Sequence, residues 1–221
     1  MVIVCDFDDT TADRNVATLL LPRFQATRRD PATPHWTSFR DCFRQGKISL
    51  MRYQELSFSW LSPDVAEEVD YVRQHARLRP GFYELAVYCK VNDIPLVISS
   101  HGLEFYVEAL LSAYGLEYIP RYTVQTIFTE KGLEFRYPSA RPTCSWWPGN
   151  CKCAALSSTI NTAGPKIYVG DGASDICPAG SADMVFARDV LLDHCRENGV
   201  DHRELGDFYA VLEYLQERRQ Q

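Results

Sequence analysis

Two aspartates one residue apart, Asp6 and Asp8, follow the apolar run Val2-Ile3-Val4-Cys5 and open the segment Asp6-Phe7-Asp8-Asp9-Thr10-Thr11. Carboxylates this close repel, and the end of a buried strand strips them of water. A cation, hydrogen bonds or a proton must offset that cost. A divalent metal together with a reacting phosphate would do so. Three further signals come in order along the chain. Ser100 ends the run Leu96 to Ser99, Lys152 stands where a loop turns into a helix, and Gly170-Asp171-Gly172-Ala173-Ser174-Asp175 follows a run ending at Val169. Each has a bland explanation taken singly. Asp6 and Asp8 would cap a turn, Ser174 or Asp175 would cap a helix, and Lys152 would be a surface lysine. Ser99 competes with Ser100, and Lys166 with Lys152.

The elements that must carry these residues are legible in outline. Ile94-Pro95-Leu96-Val97-Ile98, Lys166-Ile167-Tyr168-Val169 and Met184-Val185-Phe186-Ala187 resemble the first run: short, branched and apolar at consecutive positions. That is the pattern of strands buried on both faces. Helical patterns over Phe82 to Val91, Leu103 to Tyr114 and Cys153 to Ile160 separate them, so the spacing predicts crossover units and a parallel sheet. Strand ends in such a sheet converge on one crevice, the usual ligand site of the architecture. Between Thr11 and Arg79 no strand-like run occurs. Apolar periodicity around Val16 to Phe24, Phe39 to Phe43, Leu50 to Leu61 and Val65 to Val72 predicts a helical insertion over that crevice. Alternation across Tyr122 to Tyr137 predicts a small β-hairpin, inserted separately, with Pro138 to Asn150 a loop.

Composition bounds the function. At 221 residues, 46% apolar and 24% charged, the chain has the balance of a globular protein with one core and room for one inserted subdomain. A net charge of −6 argues against a nucleic-acid partner but not against a small phosphorylated one. No apolar run is long enough to span a bilayer, and Met1 leads straight into the first strand, so the expectation is no membrane partner and a cytoplasmic location. The eight cysteines are scattered; only Cys144, Cys151 and Cys153 lie close together, at a spacing that matches no common four-ligand zinc pattern. They read as reduced loop thiols, with zinc or a local disulfide as alternatives.

Order, spacing and residue types resemble the haloacid dehalogenase superfamily, among its phosphoserine phosphatase-like phosphatases with a helical cap, over nearly the whole chain. The resemblance implies a three-layer Rossmann-like α/β core of residues 1–12 and 80–221, a helical cap of residues 13–79, and Mg²⁺ as cofactor. It implies that Asp6 attacks phosphorus to form an aspartyl-phosphate and that Asp8 protonates the leaving oxygen and then activates water. Asp6, the backbone carbonyl of Asp8 and Asp171 would hold the metal, with Asp175 a further ligand or an anchor behind it. Ser100 and Lys152, with the turn His101-Gly102, would bind the phosphoryl oxygens, and Thr10 would fix the loop. Two groups are nearest. Ala187-Arg188-Asp189-Val190-Leu191-Leu192, Cys195-Arg196-Glu197 and Ile94-Pro95 resemble the methionine-salvage phosphatases of hydroxyketo-methylthiopentenyl phosphate. Asp6-Phe7-Asp8-Asp9-Thr10 with Asp13 and Asn15 resembles the phosphoethanolamine and phosphocholine phosphatases. Asp9 and His101 depart from the small residues usual there. His101 either reaches the substrate or is an exposed loop histidine. Trp146-Trp147 either walls the leaving group or packs on the cap, and Arg14, Arg40, Arg44, Lys47 and Arg52 either steer an anion or line a solvated face. The expected activity is phosphomonoester hydrolysis of a small metabolite by a monomer or homodimer. The alternatives are phosphoryl transfer to a second hydroxyl, as in mutases, and a non-catalytic binding protein.

Overall fold

The computed structural model describes residues 1–146, 149–158 and 164–219. Strands β1 (Val2–Cys5), β2 (Leu96–Leu103), β3 (Arg121–Thr129), β4 (Gly132–Arg136), β5 (Lys166–Gly170), β6 (Met184–Ala187) and β7 (His202–Glu204) form one seven-stranded sheet in the order β4-β3-β2-β1-β5-β6-β7. Every neighbouring pair is parallel except β3 with β4.

The apolar runs alternate between two buried faces, and this produces the three layers. Ile3, Cys5, Ile98, Ile167, Val169 and Phe186 join one core with side chains of α6 (Phe82–Val91), α7 (Glu104–Ser112) and α11 (Tyr209–Arg219). Val2, Val4, Val97, Tyr168, Val185 and Ala187 face the other way, toward α8 (Lys152–Ser158), α9 (Ile176–Ala179) and α10 (Asp189–Asn198). Between β1 and α6 the chain forms α1 (Val16–Leu20), α2 (Ala26–Arg28), α3 (Trp36–Arg44), α4 (Leu50–Ser57) and α5 (Ala66–His75). Phe24 anchors that layer, stacked on Trp60 at 5.8 Å and edge-on to Tyr71 at 5.4 Å. Arg28 lies over the Phe24 ring and pairs with the buried Glu68.

The insertion leaves and returns through one antiparallel bridge, Ala12 to Leu78. The Asp13 N–H donates to the Arg77 carbonyl at 2.9 Å and the Arg79 N–H to that of Thr11 at 2.8 Å. The Arg79 guanidinium then ties the carbonyls of Thr10 and Asp9, at 2.7 and 2.5 Å.

Two expectations are corrected. The second strand does not stop at Ser99 but stays extended to Leu103, with a register irregularity where the Gly102 N–H turns to the Ser100 hydroxyl. The hairpin is no separate insertion, because the first half of β3 pairs with β2 and makes it the sheet's edge. Strand β7 has no apolar pattern to announce it, and Ile160 lies outside the described residues.

Gly81 starts α6 at φ +82°, and a Cβ there would meet the Tyr209 backbone nitrogen at 2.5 Å. Gly46 has φ +69° but open space around it. Gly81→Ala should therefore cost about 3 kcal/mol in urea unfolding and Gly46→Ala about 1 kcal/mol, since only the first adds a backbone clash to left-handed strain. Equal losses would contradict the contact between α6 and α11.

Candidate active site

Strand β1 is the switch point of the sheet, with β2 on one side and β5 on the other. Cys5 is level with Ile98 and with Val169, so Asp6, Ser100 and Asp171, one or two residues further on, lie toward one end of the sheet. Asp6 leaves β1 there, its N–H donating to the Val169 carbonyl at 2.8 Å. The next residues turn sharply. The Thr11 hydroxyl donates to the Asp6 carbonyl at 2.6 Å and the Ala12 N–H to that of Phe7 at 2.8 Å. Asp9 sits at φ +60°, in the left-handed region that glycine or a short polar side chain tolerates best.

The crevice is a cavity of about 250 Å³ whose lining includes Asp6, Asp8, Ser100, His101, Lys152 and Asp171. The buried Lys152 ammonium lies 2.6 Å from Asp6 Oδ1 and 2.7 Å from Asp175 Oδ1. Its rival Lys166 opens β5, level with Val2 and thus at the opposite end of the sheet. Ser100 lines the cavity, whereas the Ser99 hydroxyl points to the Lys152 carbonyl at 3.4 Å. Asp6, Asp171 and Asp175 each offer a carboxylate oxygen, all within 4.8 Å of one another.

Burial pushes Asp6 well above the usual carboxylate range, against the pull of Lys152. It raises Asp171 too, though the Thr10 hydroxyl donates to Asp171 Oδ1 at 2.6 Å. Asp175 goes the other way. Burial would raise it, but Lys152, the Tyr168 hydroxyl at 2.7 Å and the Gly172 N–H at 2.8 Å together hold it low. With the Asp171 N–H at 3.2 Å its two oxygens accept four donors, which fills their lone pairs. Lys152 is held charged: burial opposes its proton, but Asp175 and Asp6 outweigh burial.

Asp8 is held from two sides. Oδ1 accepts the Val16 N–H that starts α1, at 2.7 Å, and Oδ2 accepts the hydroxyl of the buried Tyr106, at 3.0 Å. Burial nonetheless raises Asp8 to about 6. The crevice thus holds carboxyls in unlike surroundings, Asp6 and Asp175 beside an ammonium and Asp8 between a helix-starting N–H and a phenol.

Thr10 and Gly102 stand behind the lining rather than in it. Thr10 braces Asp171, and Gly102 leaves room for Tyr106, whose hydroxyl a Cβ would meet at 2.5 Å. His101 is not an exposed loop histidine. Its Nε2 donates to the Asn150 carbonyl at 2.8 Å, and burial, then Lys152, pull it down to about 3, so it is neutral. Trp146 joins the lining with Phe43 and Leu50 from the insertion, 6.4 Å from the Phe43 ring and 5.7 Å from that of His101. Trp146 thus packs on the insertion and also lines the cavity, while Trp147 lies outside the described residues. Arg14, Arg40, Arg44, Lys47 and Arg52 are not among the lining residues; Arg14 pairs with Asp13, Arg52 with Glu55, and Arg40 lies over the Trp36 ring. Tyr106, Tyr168 and Arg79 were invisible to sequence reasoning, because a lone tyrosine in an apolar pattern reads as core and a lone arginine as surface.

Known proteins carry the same pattern. The profile of the haloacid dehalogenase-like hydrolases matches residues 3–179. A 2-hydroxy-3-keto-5-methylthiopentenyl-1-phosphate phosphatase of Geobacillus kaustophilus is 30% identical over 98% of this chain and 96% of its own. One of the same description from Brevibacillus brevis is 27% identical over 100% and 97%. Among solved structures, a substrate-bound phosphoserine phosphatase superposes with a TM-score of 0.67 at 16% identity, over 96% of this chain and 97% of that one, a likeness of fold. With a family match over most of its length and a relative 30% identical over nearly all of it, the chain belongs to the haloacid dehalogenase-like hydrolase family.

Proposed function

We propose that the chain is a Mg²⁺-dependent phosphomonoesterase that hydrolyses a small phosphorylated metabolite through an aspartyl-phosphate on Asp6. The observation that carries this reading is the buried Lys152 ammonium between Asp6 and Asp175, with Ser100 and Asp8 on the same cavity.

The metal fits the residues present. Asp6, Asp171 and Asp175 form a cluster of hard oxygen donors whose burial works against charge, so a divalent cation relieves it. Asp6 and Asp171 would hold Mg²⁺, with the Asp8 carbonyl as the family pattern adds. Asp175, its lone pairs already taken, would position Lys152 and the Asp171 loop from behind. Bound there, the ion would neutralise charge on the phosphoryl oxygens.

Ser100 and Lys152 bind the phosphoryl group beside Asp6. A carboxylate oxygen of Asp6 attacks phosphorus as the bond to the leaving oxygen breaks, and that oxygen takes the Asp8 proton. After the alcohol leaves, the Asp8 carboxylate takes a proton from water. The hydroxide oxygen attacks the phosphoaspartate, freeing inorganic phosphate and restoring Asp6. Residues 13–79 act as the cap, whose Phe43 and Leu50, with Trp146, keep bulk water off the reacting group.

The relatives' descriptions and this apolar wall support 2-hydroxy-3-keto-5-methylthiopentenyl-1-phosphate as substrate, since a thioether packs well against aromatic rings. A panel of that ester, phosphoserine, phosphocholine and sugar phosphates tests the choice by phosphate release. The thioether ester should give the highest kcat/KM, and a preference for phosphoserine or phosphocholine would overturn it.

Three outcomes test the mechanism. Asp6→Asn should lower turnover by roughly a thousandfold or more, and substantial residual release would remove Asp6 as nucleophile. Chelation should abolish phosphate release and added Mg²⁺ restore it; activity indifferent to chelator would exclude the metal. The Tyr106 hydroxyl favours the ionised form of Asp8, so Tyr106→Phe raises that carboxyl further. An acid that must be protonated then survives to higher pH, and the alkaline limb of kcat/KM should move up by about one pH unit, the size of a hydrogen bond to a charged group. A limb that stays in place would separate Tyr106 from the acid.

A further inference from the structure

Thiols flank the two residues that hold the charge cluster together. Cys151 and Cys153 lie on either side of Lys152, and Cys177 comes two residues after Asp175. The helices bring them together, so that Cys153 Sγ on α8 is 3.0 Å from Cys177 Sγ on α9. Cys177 is exposed and Cys153 half-buried. Beside Cys177 lies a second open cavity of about 320 Å³, lined also by Ser145, Ile176, Trp146 and Ala173, and the last two line the substrate cavity as well. Among the described residues, Asp6, Asp171 and Asp175 are the group whose ligand atoms all converge.

We propose that Cys153 and Cys177 are an oxidisable pair, which hydrogen peroxide converts into a disulfide that slows the phosphatase. Cys177, the accessible thiol, attacks the peroxide O–O bond, becomes a sulfenic acid and releases water. The Cys153 sulfur then attacks the sulfenic sulfur and expels a second water as the S–S bond forms. The two thiols supply the two electrons that reduce one peroxide to two waters. A thiol reductant reverses the bond by exchange, as expected of a sensing disulfide rather than a structural one.

The consequence for catalysis rests on the reading of Lys152 as a phosphoryl-binding residue. A disulfide brings its sulfurs to about 2.05 Å, so the thiols of the two segments must close by about 1 Å. Those segments are the ones that the Lys152–Asp175 ion pair joins. A misplacement of about 1 Å at a group that orients the phosphate costs up to roughly a hundredfold.

The test treats the reduced protein with hydrogen peroxide, alkylates the remaining thiols and maps the peptides, while following phosphate release. We expect a peptide linked through Cys153 and Cys177, a fall in kcat/KM of roughly tenfold or more, and full recovery with dithiothreitol. Cys177→Ser should keep the unoxidised rate and resist the loss. Free Cys153 and Cys177 after treatment, a bond between Cys144 and Cys151 in their place, or a linked protein with undiminished rate would each overturn the proposal. The peptide map needs no substrate. A preparation inactive before oxidation that still yields the linked peptide counts against the phosphatase reading, not against the dithiol.

Discussion

Aspartates from β1 and from the turn after β5 crowd onto one end of the sheet, and their mutual repulsion sets the problem the rest of the molecule answers. Part of the answer is the Lys152 ammonium, buried within ion-pair distance of Asp6 and Asp175. A buried charge stripped of either partner is costly, so this arrangement persists only if the elements bearing it are fixed relative to one another. The parallel sheet fixes the acids, and α8 brings the lysine in at its first residue. Tyr168 and two backbone N–H groups then complete Asp175, leaving it no free lone pair. Each support comes from a different element, which makes the site a product of the whole core rather than of any loop.

That division explains which parts of the molecule could be read from sequence. Consecutive apolar residues mark β1 and β6 because both faces of those strands are buried, a local property visible in four residues. The bounds of α6 follow from its apolar periodicity and from Gly81 before it. Asp6 and Asp8 betray themselves because like charges at a strand end are expensive. Their supports leave no such trace. Tyr106 reaches Asp8 across 98 positions of chain and Thr10 reaches Asp171 across 161, and nothing local to either signals its partner. The extended Ser100-His101-Gly102 segment read as a turn, because its interrupted ladder depends on a side-chain bond. His101 looked like a loop residue because its acceptor, the Asn150 carbonyl, sits in a distant segment.

Asp6 and Asp8 also differ for physical reasons beyond their identical chemistry. Asp6 faces a cation, whereas Asp8 faces a phenol and a helix-starting amide. Burial raises both carboxyls, opposed by Lys152 at Asp6 and by the Val16 N–H and the Tyr106 hydroxyl at Asp8. One residue type thus yields two proton affinities two positions apart. The Val16 amide that serves Asp8 belongs to the helical insertion, so the acid is linked to the segment overlying the cavity.

The bridge between Ala12 and Leu78 has an architectural consequence. Entry and exit of some sixty intervening residues run side by side, clasped by Arg79 at the back of the turn that bears Asp8. Spliced at that doorway, a replacement module of another length would meet the same two chain ends, and loop closure penalises added length only weakly. The sheet that bears Asp6 and Asp8 and the helical insertion are therefore detachable parts, joined at a single seam, and the scaffold is open to recombination with foreign insertions.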